Sequence, residues 1–169
     1  MFSFLKKKRA AADPGRAREL YAAVRSALGD DDDVHVRIVA STAALLVCIA
    51  YADCDYSPEE EAVVRSTLAR VQGLDAAGIA AIAEVLRAHT VAIASAEATT
   101  YARELVELTE LDFRAQLLDV LVDLAGADGV LTVSETNALR TTTRALGLPQ
   151  EIYTASQARH RDKLAVLKR

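Results

Sequence analysis

The chain has 169 residues, the usual size of one domain, and folding at that length removes roughly 70% of the unfolded chain's surface from water. Only 7 Gly, 3 Pro and 5% aromatic residues leave a sheet short of turns and cross-strand aromatic pairs, whereas the abundant Ala, Leu, Val and Glu suit long helices, so an all-α fold is expected. The formal net charge of -4 is unevenly spread: residues 1–18 sum to +5 and residues 159–169 to +4, which leaves -13 for the body. An acidic body repels phosphate backbones, which argues against nucleic-acid binding, and favours a cation or a basic partner surface.

In chain order, Met1 to Arg9 places Phe2, Phe4 and Leu5 ahead of Lys6, Lys7, Lys8 and Arg9. That is the reverse of a secretory signal, and it suits either a solvated tail or a weak contact with an anionic membrane surface. Residues 1–15 are expected to be a flexible basic leader, and residues 16–169 one helical domain. Asp13-Pro14-Gly15 breaks any early helix, and Arg16 to Leu28 reads as the first one, with Leu20, Val24 and Leu28 on one face. Gly29 and the acidic run Asp30 to Asp33 lead to a second helix, about Val34 to Ala52, which is apolar nearly all round and therefore expected at the centre.

Ser57-Pro58-Glu59-Glu60 is a strong start signal: a Ser cap, Pro at the first helical position and Glu at the third to close a capping box. The helix it opens should reach about Gln72, before Gly73. Asp75 caps an Ala-rich helix to about Ser95, and another runs from about Glu97 to Glu110. Asp112 opens a second apolar helix, Phe113 to Ala127. Thr132-Val133-Ser134-Glu135 repeats the capping box for a helix that ends at Gly147. Pro149 starts a last helix to about Leu167, with Ile152 and Leu164 inward. Eight helices are predicted.

The repetition is close. At an offset of 75, LLVCIAYAD (Leu45 to Asp53) lies over VLVDLAGAD (Val120 to Asp128) with five of nine positions identical. The same offset superposes Ser57 on Thr132, Glu60 on Glu135 and Arg65 on Arg140. Two copies, at about 34–74 and 109–148, would each expose an apolar face that the other covers, with the two apolar helices paired about a pseudo-twofold.

The segments Ala52-Asp53-Cys54 to Glu60 and Ala127-Asp128-Gly129 to Glu135 resemble the doubled "ADG, polar loop, S/T-x-x-E" motif of TerB-like (tellurite-resistance protein B-like) proteins. The resemblance covers about residues 34 to 150. It implies a multihelical fold, a role in tellurite and other chemical stress, no enzymatic activity, acidic repeated loops as cation or ligand sites, and association with membrane-bound stress complexes. Cys54 stands where the family has Gly, and a side chain tolerates positive φ poorly, so the path of that loop is for the structure to decide.

Asp53 and Asp128 each close an apolar helix, at the end of the dipole that disfavours an anion by about 0.3–1 kcal/mol. Two readings offset that cost. Each carboxylate can accept N–H bonds from its own loop. Alternatively Asp53, Asp55 and Glu60, and separately Asp128 and Glu135, can hold a hard divalent cation through oxygen. Neither loop is an EF-hand: counting from Asp53, Pro58 takes the Gly position and Val64 the bidentate Glu position. Arg65 and Arg140 are expected to pair with a carboxylate of their own unit.

Cys48 lies in an apolar run and no CxxC accompanies either cysteine, so no disulfide framework is expected. His35, His89 and His160 are scattered, which argues against zinc. No nucleophile elbow, phosphate loop or dinucleotide fingerprint occurs. The longest uncharged apolar run, Ile38 to Ala52, spans 15 residues, short of the ~20 that cross a bilayer. The expectation is a non-enzymatic cytoplasmic domain that offers acidic loops to a cation or a protein partner, with the inner face of the membrane as a neighbour. The alternative is a metal-independent helical interaction module or adaptor.

Overall fold

The structure is a computed structural model that describes residues 17–29, 32–95, 98–129 and 131–167, with side chains described as far as residue 162. The leader Met1 to Arg9, the acids Asp30 and Asp31, and the Leu164 side chain lie outside the described residues. Among the described residues there are nine α-helices, one short 3-10 turn and no strand.

Helix α1 (Arg18–Leu28) buries Leu20 and Val24 and stops at Gly29, whose φ of 66° few other residues adopt. Helix α2 (Asp33–Ala50) is buried at almost every position from Val36 onward, as a helix apolar on all sides must be. Asp32 caps it through the Val34 N–H. Helices α1, α3 (Pro58–Leu68), α4 (Ala76–Ala88), α5 (Thr90–Ser95), α6 (Ala98–Leu108), α7 (Leu111–Ala125) and α8 (Val133–Ala145) all pack on α2. Helix α9 (Gln150–Leu167) packs on α7 and α8. By length and composition α2 and the turn after it could cross a membrane, but 67% of that apolar window is buried inside the protein.

Two expectations are corrected. The predicted helix over residues 75–95 is two helices, broken at His89 (φ -117°, ψ 17°). The Thr90 hydroxyl donates to the Leu86 and Arg87 carbonyls at 2.7 and 3.1 Å, side-chain competition of the kind that bends helices. The break lets α4 lie along α1 while α5 lies against α2 and buries Ile93 there. The predicted second apolar helix is amphipathic. Leu117, Leu118, Leu121, Val122 and Leu124 of α7 are buried, while Asp112, Arg114, Gln116, Asp119 and Asp123 occupy its other side and Leu111 and Phe113 are exposed. The two helices do touch, but α2 is the centre and α7 a flank.

A polar knot crosses the core. Glu104 of α6 accepts hydrogen bonds from Tyr21 Oη and Ser41 Oγ (both 2.5 Å) and from Arg37 Nε (2.7 Å). Burial and the neighbouring carboxylate push the Tyr21 hydroxyl well above the usual tyrosine range. The Glu104 carboxylate in turn raises Arg37, locking the guanidinium in its charged form. A buried carboxylate met by three donors is tolerated where an unpaired one would not be, and this one ties α1, α2 and α6 together.

Candidate functional site

The two acidic bends follow the C-terminal ends of α2 and α7. After α2 the chain makes a 3-10 turn, Tyr51–Asp53, closed by the Cys54 N–H to the Tyr51 carbonyl at 3.0 Å. After α7 the Gly129 N–H reaches the Gly126 carbonyl at the same 3.0 Å. Cys54 takes up the left-handed conformation (φ 71°), as Gly129 does (φ 87°), and it is the one non-glycine residue with positive φ among those described. The first loop therefore keeps the glycine path despite its side chain.

Both capping boxes form as predicted. Glu60 Oε2 accepts from Ser57 N and Oγ at 2.8 and 2.9 Å, and the Glu60 N–H returns a bond to Ser57 Oγ at 3.1 Å. Glu135 Oε2 accepts from Thr132 N and Oγ1, both at 2.7 Å, and the Glu135 N–H reaches Thr132 Oγ1 at 3.2 Å. Both glutamates are buried. The Glu60 carboxyl is held above the usual carboxylate range: burial is the main cause, the Ser57 bonds oppose it, and the negative charges of Glu135 and Asp53 add to it. The two bends thus lie within each other's electrostatic field.

The aspartates stand differently. Asp53 and Asp55 are exposed. Asp53 Oδ1 accepts the Asp55 N–H and Asp55 Oδ1 accepts the Tyr56 N–H, both at 3.0 Å, which is the local turn bonding that offsets the helix dipole. Asp128 is exposed and also engaged. Among the described residues no three His, Cys, Asp or Glu side chains converge closely enough to enclose a metal. Of the candidate ligands, Asp53, Asp55 and Asp128 are exposed, while Glu60 and Glu135 are buried in their capping boxes.

Arg65 does pair within its unit, with Glu61 Oε1 at 2.8 Å across one helical turn. Arg87 of α4 joins the same carboxylate on its other oxygen. Arg140 turns instead to the Tyr153 hydroxyl and helps to hold that phenol down against burial, which raises it. The spacing of Glu61 and Arg65 was readable as a helical ion pair, whereas the contribution of Arg87, 26 residues away, was not. The Tyr56 hydroxyl beside these groups is pushed up to about 12 by burial and has no hydrogen-bond partner among the described residues.

A model of the family described as tellurite resistance protein TerB matches residues 40–158, well over half of the chain. The chain belongs to the TerB family. The match takes in both bends, the two capped helices and the first half of α9, and leaves out the leader and α1. No curated protein and no solved structure matches the chain. Membership assigns the chain to a tellurite-resistance-type family with an all-α fold. The acidic bends that carry the resemblance are also the segments in which this TerB chain forms the same capping box twice, Ser57 with Glu60 and Thr132 with Glu135.

Proposed function

We propose that the chain is a non-enzymatic stress-response domain of the tellurite-resistance type, which presents its two acidic bends to a cation or to a basic protein surface. We place it in the cytoplasm, with Met1 to Arg9 as a weak contact to the inner face of the membrane. The observation that supports this most is at Glu60: burial first raises its carboxyl, and the negative charges of Glu135 from the other bend and of Asp53 from its own add to that. Like charges held together by a fold that caps each of them separately are relieved by an incoming positive charge. The cap bonds use only Oε2 of each glutamate, so an arriving cation would not have to break them. A hard ion completed by water suits such oxygen donors.

A metal-independent adaptor is favoured by a different observation, the lack of any three-ligand cluster among the described residues. Calorimetric titration with calcium, magnesium, manganese and zinc separates the two. On the cation reading the melt rises with ion concentration, by about 2.7 kcal/mol of added stability at a hundredfold excess over Kd. Asp53→Ala with Asp128→Ala then abolishes the rise while the chain stays folded. A melt unmoved by all four ions, with capture of a basic partner, establishes the adaptor.

A further inference from the structure

We propose that the groove between α2, the end of α3 and α7 is a docking site for the chain's own first nine residues. The groove is a half-open cavity of about 810 Å³, within the roughly 300–1,000 Å³ of binding pockets and far too small for a folded partner. Ile38, Val39, Leu68, Val71 and Leu117 form its floor, and the exposed ring of Phe113 stands at its mouth.

Thr42 also lines the groove. It is 9% exposed, yet its hydroxyl has no hydrogen-bond partner among the described residues. Thr67, Thr90 and Thr143, also in helices, donate to the carbonyl four residues back at 2.7–2.8 Å, whereas the buried Thr142 of α8, outside the groove, has no partner among the described residues. A buried polar atom left without a partner costs about 1–3 kcal/mol. The α7 lip carries Glu110, Asp119 and Asp123, against Arg70 on the opposite lip. Asp119 also pairs with Arg159, and Asp123 with His160 at 3.0 Å, so the lip is acidic but partly balanced.

The sequence Met-Phe-Ser-Phe-Leu-Lys-Lys-Lys-Arg supplies what each part of the groove wants. Phe2, Phe4 and Leu5 match the apolar floor, an extended backbone offers groups to the Thr42 hydroxyl, and Lys6 to Arg9 match the acidic lip. The tether is long enough. Tyr21, one turn into α1, touches Ser41 at 3.1 Å, so α1 begins at the height of Thr42 on α2 and about one helix diameter, roughly 10–12 Å, around it. Thirteen residue-to-residue steps lead from Phe4 to Ala17, and at ~3.3 Å each they span up to about 43 Å. A short tether gives an effective concentration of about a millimolar, so even weak intrinsic affinity suffices. The same apolar residues would then be shared between the groove and a membrane surface.

The test uses the ¹⁵N-labelled full chain and a triple variant, Phe2→Ser, Phe4→Ser and Leu5→Ser, whose changes lie outside the described residues. Amide shifts should change at Thr42, Val71, Phe113 and Val120 and stay constant elsewhere. A synthetic Met1–Arg9 peptide added to the triple variant should restore them with a Kd no weaker than about 1 mM, and Phe113→Ser should weaken that binding by about tenfold. Superimposable spectra overturn the proposal. So does a peptide that leaves the groove unshifted at 10 mM (about ten times that effective concentration) or shifts the bends at Asp53 and Asp128 instead. Binding of the parent chain to phosphatidylserine vesicles without any groove shift in the triple variant makes the leader a lipid contact only, which also overturns it.

Discussion

The two bends share one hydrogen-bond scheme and differ in the side chains laid over it. In both, the residue after the helix returns its N–H to carbonyls of the last turn, from Tyr51 to Ile49 and Val47 and from Gly126 to Leu124 and Val122. Both then pass through a left-handed residue into a Ser or Thr cap closed by Glu. In the first bend the special positions carry Tyr51 and Cys54. In the second they are glycines, and the room above Gly126 is taken by His160 of α9, which Asp123 holds at 3.0 Å. Backbone bonding is what the two copies cannot change without unfolding the turn, while the space around it has been given to different neighbours.

The largest expected effect tests that use of space. A Cβ on Gly126 would stand 2.2 Å from His160 Nε2, so Gly126→Ala must push the ring off Asp123 and should cost about 2–3 kcal/mol in denaturant unfolding. Pairing it with His160→Ala, which vacates the space, should recover much of that loss. If the two changes simply add, α9 is not what fills the second bend.

Next come the caps. Glu60→Ala and Glu135→Ala each remove a capping box and should each cost about 1–2 kcal/mol. The two carboxylates repel, so either single change also relieves the other, and the double variant is expected to exceed the sum of the singles by roughly 0.5 kcal/mol. Strict additivity would mean that the bends do not sense one another, which would remove the main support for a shared cationic partner.

Both caps, the Asp75 N–H cap at Gly78 and the all-α class could be read in the sequence because they rest on residues within one turn of each other. What could not be read depends on distant neighbours. The three donors to Glu104 lie 63 to 83 residues away, and Arg114, which looks like an ordinary surface residue of α7, donates at 2.5 Å to the Leu146 carbonyl at the end of α8. The break at His89 was hidden by an unbroken helical pattern of apolar residues, because the Thr90 bonds to the Leu86 and Arg87 carbonyls are of a kind that Thr67 and Thr143 also make inside helices. The candidate ligands illustrate the same limit: motif spacing picks out the acids, while the burial of Glu60 and Glu135 beside exposed aspartates depends on how the bends pack.

A smaller, reciprocal effect concerns the left-handed residue itself. Cys54→Gly should stabilise by about 1 kcal/mol, since it removes a side chain from a conformation that disfavours one. Nothing lies within 4 Å of a Cβ built on Gly129, so Gly129→Ala should destabilise by a similar amount through backbone strain alone. Chemical denaturation of the two variants gives both numbers, and equal signs would show that the bends do not share a backbone conformation.

The smallest effect is a pH dependence that arises at Glu60. Because the folded state holds the Glu60 proton more tightly than an unfolded chain does, folding takes up protons there, and stability falls as pH rises. The contribution is complete below the ordinary glutamate value of about 4.3 and is lost as the pH passes through the raised folded value. Glu60→Gln keeps an oxygen for the Ser57 bonds, as capping boxes allow, but cannot ionise. The parent should therefore lose stability relative to the variant between pH 4 (about the ordinary glutamate value) and neutrality, by less than the cost of losing a cap. A saturating divalent ion should flatten that slope if the bends receive a cation, because the ion offsets the negative charges of Glu135 and Asp53 that add to burial in holding the proton on Glu60. An unchanged slope with ion present would leave the acidic bends to a protein partner.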